Sequence, residues 1–228
     1  MPAVPSSETR PIVVFGAGQT AEVAAFYLEG DGCRNVAGFC VDAAYLPPGN
    51  FLGRPVVPLD GLASAFPPES HDIFVALSFA GLNRPRAEKY AQLTAMGYRA
   101  VRFVHSRAMV APDIPIGPNC LILENNVVQV GTRIGSNTFL WSGNHVGHHS
   151  VIGDHCYISS HVVISGATVI GDYTFIGVNA TIRDNISIGC RNIIGAASII
   201  LSDTKDGSVF RAEETKVRRV SSDRVAKI

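Results

Sequence analysis

The chain carries no net charge, with nineteen basic residues balancing nineteen acidic ones over 228 positions. No overall field draws it to nucleic acid or to an anionic membrane, and a small molecule or another protein is the expected partner. It also has no uninterrupted apolar run near the ~20 residues that cross a bilayer. The opening MPAVPSSETRP lacks the basic start and apolar segment of an export signal. These absences make the cytosol the expected location. No CxxC pair occurs, and Cys33, Cys40, Cys120, Cys156 and Cys190 are odd in number, so reduced thiols are expected rather than a disulfide framework.

The sequence contains two unlike periodicities, and the length suits two small domains. From residue 11 to about 104, strand and helix patterns alternate. PIVVFGAG is a β-branched run ending in glycines, and QTAEVAAFYLEG continues as a helix closed by Gly30. NVAGFCVD and DIFVALSF read as the second and third strands, NRPRAEKYAQLTAMG as a helix, and YRAVRFVH as a fourth strand. Such alternation predicts a small Rossmann-like α/β domain with a parallel sheet covered on both faces. It has room for one mononucleotide-binding half only.

From residue 110 every sixth position is aliphatic, through Val110, Ile116, Ile122, Val128 and so on to Ile194 and Ile200, sixteen in succession. With roughly one residue in four Ile, Leu or Val, chance would give this less than about once in a billion. Gly often follows the aliphatic residue, and a small residue such as Thr132, Ser150 or Cys156 stands four places after it. This is the hexapeptide repeat of a parallel β-helix. Three units form an 18-residue coil, coils stack at about 4.8 Å, the aliphatic residue points inward, and glycine supplies unusual backbone angles at the corner. The expected layout is a loose lead-in at 1–10, an α/β domain at 11–106, an all-β β-helix at 107–204 and a tail at 205–228.

Five of the seven histidines crowd into WSGNHVGHHSVIGDHCYISSHVVISG, residues 141–166. His149, His155 and His161 share one repeat position in consecutive units, so they face three sides of one coil and cannot converge on a metal within a chain. They read as solvated turn residues. His145 and His148 sit where a neighbouring subunit could approach. Trp141 follows an inward Leu140 and so points outward, as a residue lining a subunit interface. Cys120 and Cys156 are inward and two coils apart, too far for a disulfide.

VGHHSVIGD resembles the [IV]-x-H-x-[CS]-x-[IV]-G signature of hexapeptide-repeat acyltransferases. Residues 11–205 as a whole resemble the nucleotide-aminosugar N-acetyltransferases of bacterial glycan biosynthesis, the sialic-acid O-acetyltransferase-like family. The resemblance implies a left-handed coil, a homotrimer, acetyl-CoA as acyl donor with no metal, and a nucleotide-linked amino sugar as acceptor. It implies His148 as general base, a task suited to imidazole, which is largely neutral at cytosolic pH. It places the Gly166 amide, one coil on, at the thioester carbonyl, backbone contacts to the pantetheine arm at Val178 and Ala196, and Tyr157 where relatives have a cofactor-side histidine. Two departures stand out. The carboxylate that relatives place beside the base is missing, leaving Asn144 or another subunit to orient His148, and the usual C-terminal phosphate loop is replaced by a basic tail with Lys216 and Arg218.

GAGQTA is a GxGxxA variant of the dinucleotide fingerprint. Its amides at Gly18, Gln19 and Thr20, after the turn at Gly16, would meet a phosphate at a helix N-terminus, and Asp42 would accept hydrogen bonds from a ribose or base. The leading expectation is acetyl transfer to the amine of a nucleotide-linked deoxysugar. A sugar O-acetyltransferase, a longer acyl donor, a gamma-class carbonic-anhydrase-like zinc enzyme, a non-catalytic nucleotide-binding trimer and an NAD-dependent oxidoreductase are the alternatives.

Overall fold

The protein is described by a computed structural model over residues 10–32, 34–217 and 224. Residues 1–9 of the expected lead-in, Cys33 and Arg218 lie outside the described residues. The N-terminal unit follows the sequence pattern closely. Strand β1 (Ile12–Phe15), helix α1 (Gln19–Gly30) and strand β2 (Val36–Val41) form the first crossover. Strand β3 (Val56–Pro58) and the one-turn helix α2 (Leu62–Ala65) were not expected. Strand β4 (Asp72–Val75), helix α3 (Arg84–Ala95) and strand β5 (Arg99–Ala100) complete an all-parallel sheet of order β3-β2-β1-β4-β5. β1 and β4 are buried at every residue, which is why they read as unbroken apolar runs.

The fourth strand is not one strand. YRAVRFVH divides into β5, which closes the parallel sheet, and Phe103–Val104, which pairs with Leu121–Ile122. Val104 lies six residues before Val110, so the first rung of the β-helix is already present there. Val209–Phe210 pairs with Ile193–Ile194 at the other end. That last coil advances sixteen residues, from Ile194 to Phe210, where the preceding one, Ile176 to Ile194, takes eighteen.

The coils form a left-handed prism with three parallel sheets. One face runs from Met109–Val110 to Ile199–Ile200, a second from Arg133–Ile134 to Ser187–Ile188, and a third from Phe103–Val104 to Val209–Phe210. The repeating aliphatic residues stack in the interior, all buried from Ile122 to Ile200. Small corner residues are buried too, and their hydroxyls or thiols donate to a carbonyl fifteen residues on: Thr132 to Gly147 O, Thr138 to Gly153 O, Ser150 to Ser165 O and Cys156 to Gly171 O. Thr and Ser serve here because they fill the corner and satisfy the carbonyl.

The corner glycines act differently from the expectation. None of the glycines directly after the core aliphatic has positive φ. They are needed because the coil above passes over them: a Cβ on Gly177 would lie 2.5 Å from the Ala196 nitrogen, and one on Gly147 2.5 Å from the Gly166 nitrogen. The left-handed residue is two places later, at every repeat from Asp113 to Ala197, with φ between 53° and 77°. Asn119, Asn137, His149, His155 and His161 occupy it, residue types that tolerate this region better than most. Gly177→Ala is expected to destabilise the prism by about 1–3 kcal/mol through overpacking, read as a fall in denaturant midpoint at unchanged slope.

The first residue of each rung on the third face points out of the prism. Phe103, Leu121, Phe139 and Tyr157 are buried there against Val14, Ala24, Leu28 and Phe74 of the α/β domain, and Phe74 stacks on Phe139 with ring centroids 5.8 Å apart. Trp141, expected at a subunit interface, is half-buried and packs on its inner side against this cluster, 6.0 Å from the Tyr157 ring.

Candidate functional site

Two sites emerge, one in each domain. In the α/β domain a cleft of about 710 Å³ opens where β1 and β4 end and the chain leaves in opposite directions, the position at which open parallel sheets hold ligands. Its walls include Gly16, Gly18, Asp42, Tyr45, Ser78 and Lys89. Gly16 has φ +128°, and a Cβ there would lie 2.9 Å from the Ala76 carbonyl, so only glycine lets β1 turn away so close to β4. Asp42, at the end of β2, faces the cleft, and its Oδ1 accepts from Lys89 Nζ at 2.5 Å. Gln19 and Thr20 stand on the first turn of α1, outside the residues that wall the cleft. Lys89 was missed because nothing in the polar helix NRPRAEKY distinguishes it from a solvated lysine.

On the β-helix, His148 lies at the corner between the first and second faces, after the rung His145–Val146. It is exposed. Its carbonyl accepts from Ala167 N–H at 2.7 Å, and its own N–H donates to Gln129 Oε1 at 2.9 Å. The imidazole leans over Gly166, one coil on: a Cβ at Gly166 would lie 2.7 Å from both Cε1 and Nε2. The Gly166 N–H donates to no acceptor among the described residues. At the matching position of another corner, the Asp154 amide is capped by Asp172 Oδ1. A basic nitrogen and an open amide donor thus stand side by side, the two elements that acyl transfer requires.

Val178 and Ala196 are likewise one coil apart, and the Ala197 N–H donates to Val178 O. They lie on a different edge, after the third-face rungs Phe175–Ile176 and Ile193–Ile194. One chain therefore brings His148 to Gly166 and Val178 to Ala196, but keeps the two pairs apart. An apolar groove of about 520 Å³ lined by Phe79, Leu82, Phe175 and Ile193 separates the α/β cleft from the second pair. Tyr157, read as a cofactor neighbour, is 6 % exposed among Phe79, Phe139 and Phe175, and burial pushes its phenol up to about 12.

Asn144 does not orient His148. Its side chain is committed to the prism, donating to Trp141 O and accepting from Val162 N–H. His155 is not a solvated turn residue either. Its Nδ1 lies 2.9 Å from Asn137 Nδ2, and its ring lies 4.7 Å from that of Tyr173. Asn137 Oδ1 already accepts from Arg86 Nε and Asn119 Nδ2, so Asn137 presents an N–H to His155, and Nδ1 must accept. Protonation would set two donors against each other. Burial, with Arg86 nearby, holds the imidazole below its ordinary value of 6.5. Above about pH 6.5 neither folded nor unfolded chain carries this proton; below it the unfolded chain gains the proton first, so stability falls as pH drops toward the lowered folded value. Unfolding midpoints between about pH 7.5 and 5.5 are expected to fall less in His155→Asn than in the wild type.

Lys216 is exposed on the described part of the tail, in a shallow concavity formed by residues 211–217. Among the described residues no group of three or more His, Cys, Asp or Glu side chains is placed to hold a metal ion, and no helix is long and apolar enough to cross a membrane.

The family model of the bacterial transferase hexapeptide (six repeats) matches residues 131–166, which contain the His148 corner. No curated protein matches the chain. Among solved structures, the acetyltransferase domain of PglB from Neisseria gonorrhoeae is 27 % identical, with a TM-score of 0.78 over 88 % of this chain and 95 % of that one. That domain has also been solved in complex with acetyl coenzyme A. A histidine-substituted perosamine N-acetyltransferase from Caulobacter crescentus, in complex with CoA and GDP-perosamine, is 24 % identical with a TM-score of 0.79 over 87 % of this chain and 92 % of that one. WeeI from Acinetobacter baumannii, at 19 % identity and a TM-score of 0.76 over 87 % and 95 %, shares the fold. Repeat, domain order and likeness along nearly the whole length agree: the chain has the two-domain fold of these hexapeptide-repeat acetyltransferases and is similar to them from end to end.

Proposed function

We propose that this protein moves the acetyl group of acetyl-CoA to the amino group of a nucleotide-linked amino-deoxysugar, as a homotrimer in the cytosol. The observation that carries the reading is the juxtaposition of the His148 imidazole and the undonated Gly166 amide, on a fold whose relatives are acetyltransferases solved with acetyl-CoA or CoA. In this reading the acceptor amine attacks the thioester carbon, and His148 takes the proton from nitrogen. The oxyanion is held by the Gly166 N–H until the C–S bond breaks and the thiolate leaves. Val178 and Ala196 present backbone amides that donate to nothing among the described residues, suited to the amide groups of a pantetheine arm. Because these two pairs lie on different edges, a complete site needs the His148 edge of one subunit beside the Ala196 edge of its neighbour.

The α/β cleft supplies the acceptor side. Gly16 and Gly18 open space for a diphosphate, and Asp42 with Lys89 offers paired charges to a ribose or base. The cleft and the Ala196 edge flank the same groove at Phe79 and Phe175, so nucleotide and cofactor arm approach from one side. The test is a thiol-release assay with acetyl-CoA and amino sugars linked to uridine, thymidine and guanosine diphosphates, with product mass measured. An N-acetylated product with one nucleotide series is expected, and no thiol release with any acceptor would sink the proposal.

A further inference from the structure

We infer that His149 is a positioning residue that sets the tautomer of His148, so that the reactive unit is a pair of imidazoles with no carboxylate. The inference rests on the acyl-transfer reading above. The two Nδ1 atoms lie 3.2 Å apart, and the rings meet edge to face at 77° with centroids 5.3 Å apart. Adjacent side chains are seldom arranged this way, and here the backbone enforces it. His149 has φ +57°, the left-handed corner residue of its repeat, and its N–H donates to Val130 O at 2.9 Å. Its ring is seated on Gly131 in the coil below, where a Cβ would come within 2.7 Å of it. His148 meanwhile leans the other way, over Gly166 in the coil above. Each ring is therefore fixed by a glycine, one below and one above, and only the Nδ1 edges face each other.

An Nδ1–Nδ1 contact needs one donor and one acceptor. For Nε2 of His148 to take a proton, its lone pair must be free, so the ring proton sits on Nδ1 and donates to His149 Nδ1. His149 is then neutral with its proton on Nε2. If His149 is protonated, its Nδ1–H points at His148, which must accept through Nδ1 and carry its own proton on Nε2. The lone pair the reaction needs is then lost. Both imidazoles must be neutral for turnover.

No ionisable group makes a hydrogen bond or ion pair to this couple among the described residues. Gln129, Gly131 and Gly166 are its contacts on the coils below and above. In the same corner columns Asp184 stands two coils above His148 and Asp113 two coils below His149. Arg183 lies beside Asp184, with its guanidinium donating to Leu201 O.

The test compares wild type, His149→Asn, His149→Ala and His148→Ala. Asn and Ala already occupy the left-handed position in other repeats, at Asn179, Asn185, Ala167 and Ala197, so both His149 variants should fold. In His149→Ala kcat should fall between about 10- and 100-fold, the usual scale for loss of a ring-orienting partner, and in His149→Asn, whose side-chain oxygen can accept from His148 Nδ1, the loss should be smaller. Nitrogen NMR of the imidazoles should show His148 protonated on Nδ1 in the wild type and a mixture of tautomers in His149→Ala. Wild-type kcat in His149→Ala, or His148 protonated on Nε2 in the active wild type, would overturn the pair. If His148→Ala itself keeps full turnover, the acyl-transfer assignment fails instead, which separates the two outcomes.

Discussion

His148→Ala is expected to lower kcat by about 10²- to 10⁴-fold, the usual contribution of a general base, while the unfolding midpoint stays within experimental error. The second half follows from exposure. The side chain of His148 sits outside the prism, its backbone contacts to Gln129 and Ala167 use main-chain atoms, and truncation opens no cavity. The kinetic loss should fall on kcat rather than KM, because the imidazole acts on the proton in flight and not on the bound ground state. A parallel test at Gly166 strengthens the assignment. A methyl group there meets the imidazole Nε2 and Cε1 at 2.7 Å, so Gly166→Ala must swing the ring away, lowering kcat with His148 still in place. Steady-state kinetics with circular dichroism would check both, and full activity in either protein would remove the corner from the mechanism.

Arg86→Met is expected to cost at least about 3 kcal/mol of stability, since several buried carbonyls lose their donor together. Arg86 is 0 % exposed, yet no carboxylate among the described residues pairs with it. Its guanidinium instead donates to Asn137 Oδ1 and to the carbonyls of Leu77, Ser78, Asn137, His155 and Cys156, at 3.0 to 3.4 Å. It also lies 4.2 Å above the Phe139 ring centroid. Desolvation pulls its pKa down to about 10, so it stays charged at neutral pH. Because Leu77 and Ser78 wall the α/β cleft while Cys156 belongs to the prism, this one side chain joins cleft to coil. Met fills the volume without the donors, and Lys keeps the charge without the planar fork. Both variants should lower the denaturant midpoint, Met more than Lys, and a wild-type midpoint in Arg86→Met would show that the carbonyls find other donors.

The prism was legible because stacking makes the same demand at every rung. An inward aliphatic residue must sit on its copies above and below, so the period appears in the one-dimensional sequence without error from Val110 to Ile200. The domain junction left a fainter trace. Phe103, Leu121, Phe139, Tyr157, Phe175 and Ile193 precede the core residue in every third repeat, a period of eighteen that marks the covered face. The pattern can be read once three repeats per coil are assumed, and it would have placed Tyr157 in the junction and Trp141 beside it.

At the candidate site, His148 and Gly166 were found by motif and by eighteen-residue arithmetic, and the geometry joins them. The role of the corner glycines was misread. Sequence alone cannot distinguish a glycine needed for its φ angle from one needed because a neighbouring strand passes within van der Waals distance. Arg86 and Lys89 escaped notice for a related reason. Both lie on a polar helix whose buried sides are decided by tertiary contacts: Arg86 is satisfied by amide and carbonyl oxygens and leaves no complementary acid to find, and the Asp42 that pairs with Lys89 lies far away in the sequence.

Corner stacking at fixed intervals also makes the molecule a ruler. Each coil adds about 4.8 Å along the axis and repeats the same corner, so the axial offset between the imidazole level and the Ala196 level, eight six-residue repeats further along the chain, is fixed by the coil count. Inserting or removing one eighteen-residue coil between them would preserve every contact within each corner and shift the two levels apart or together by one step. An extended, amide-bearing ligand would then be graded by length, independently of the side chains it touches.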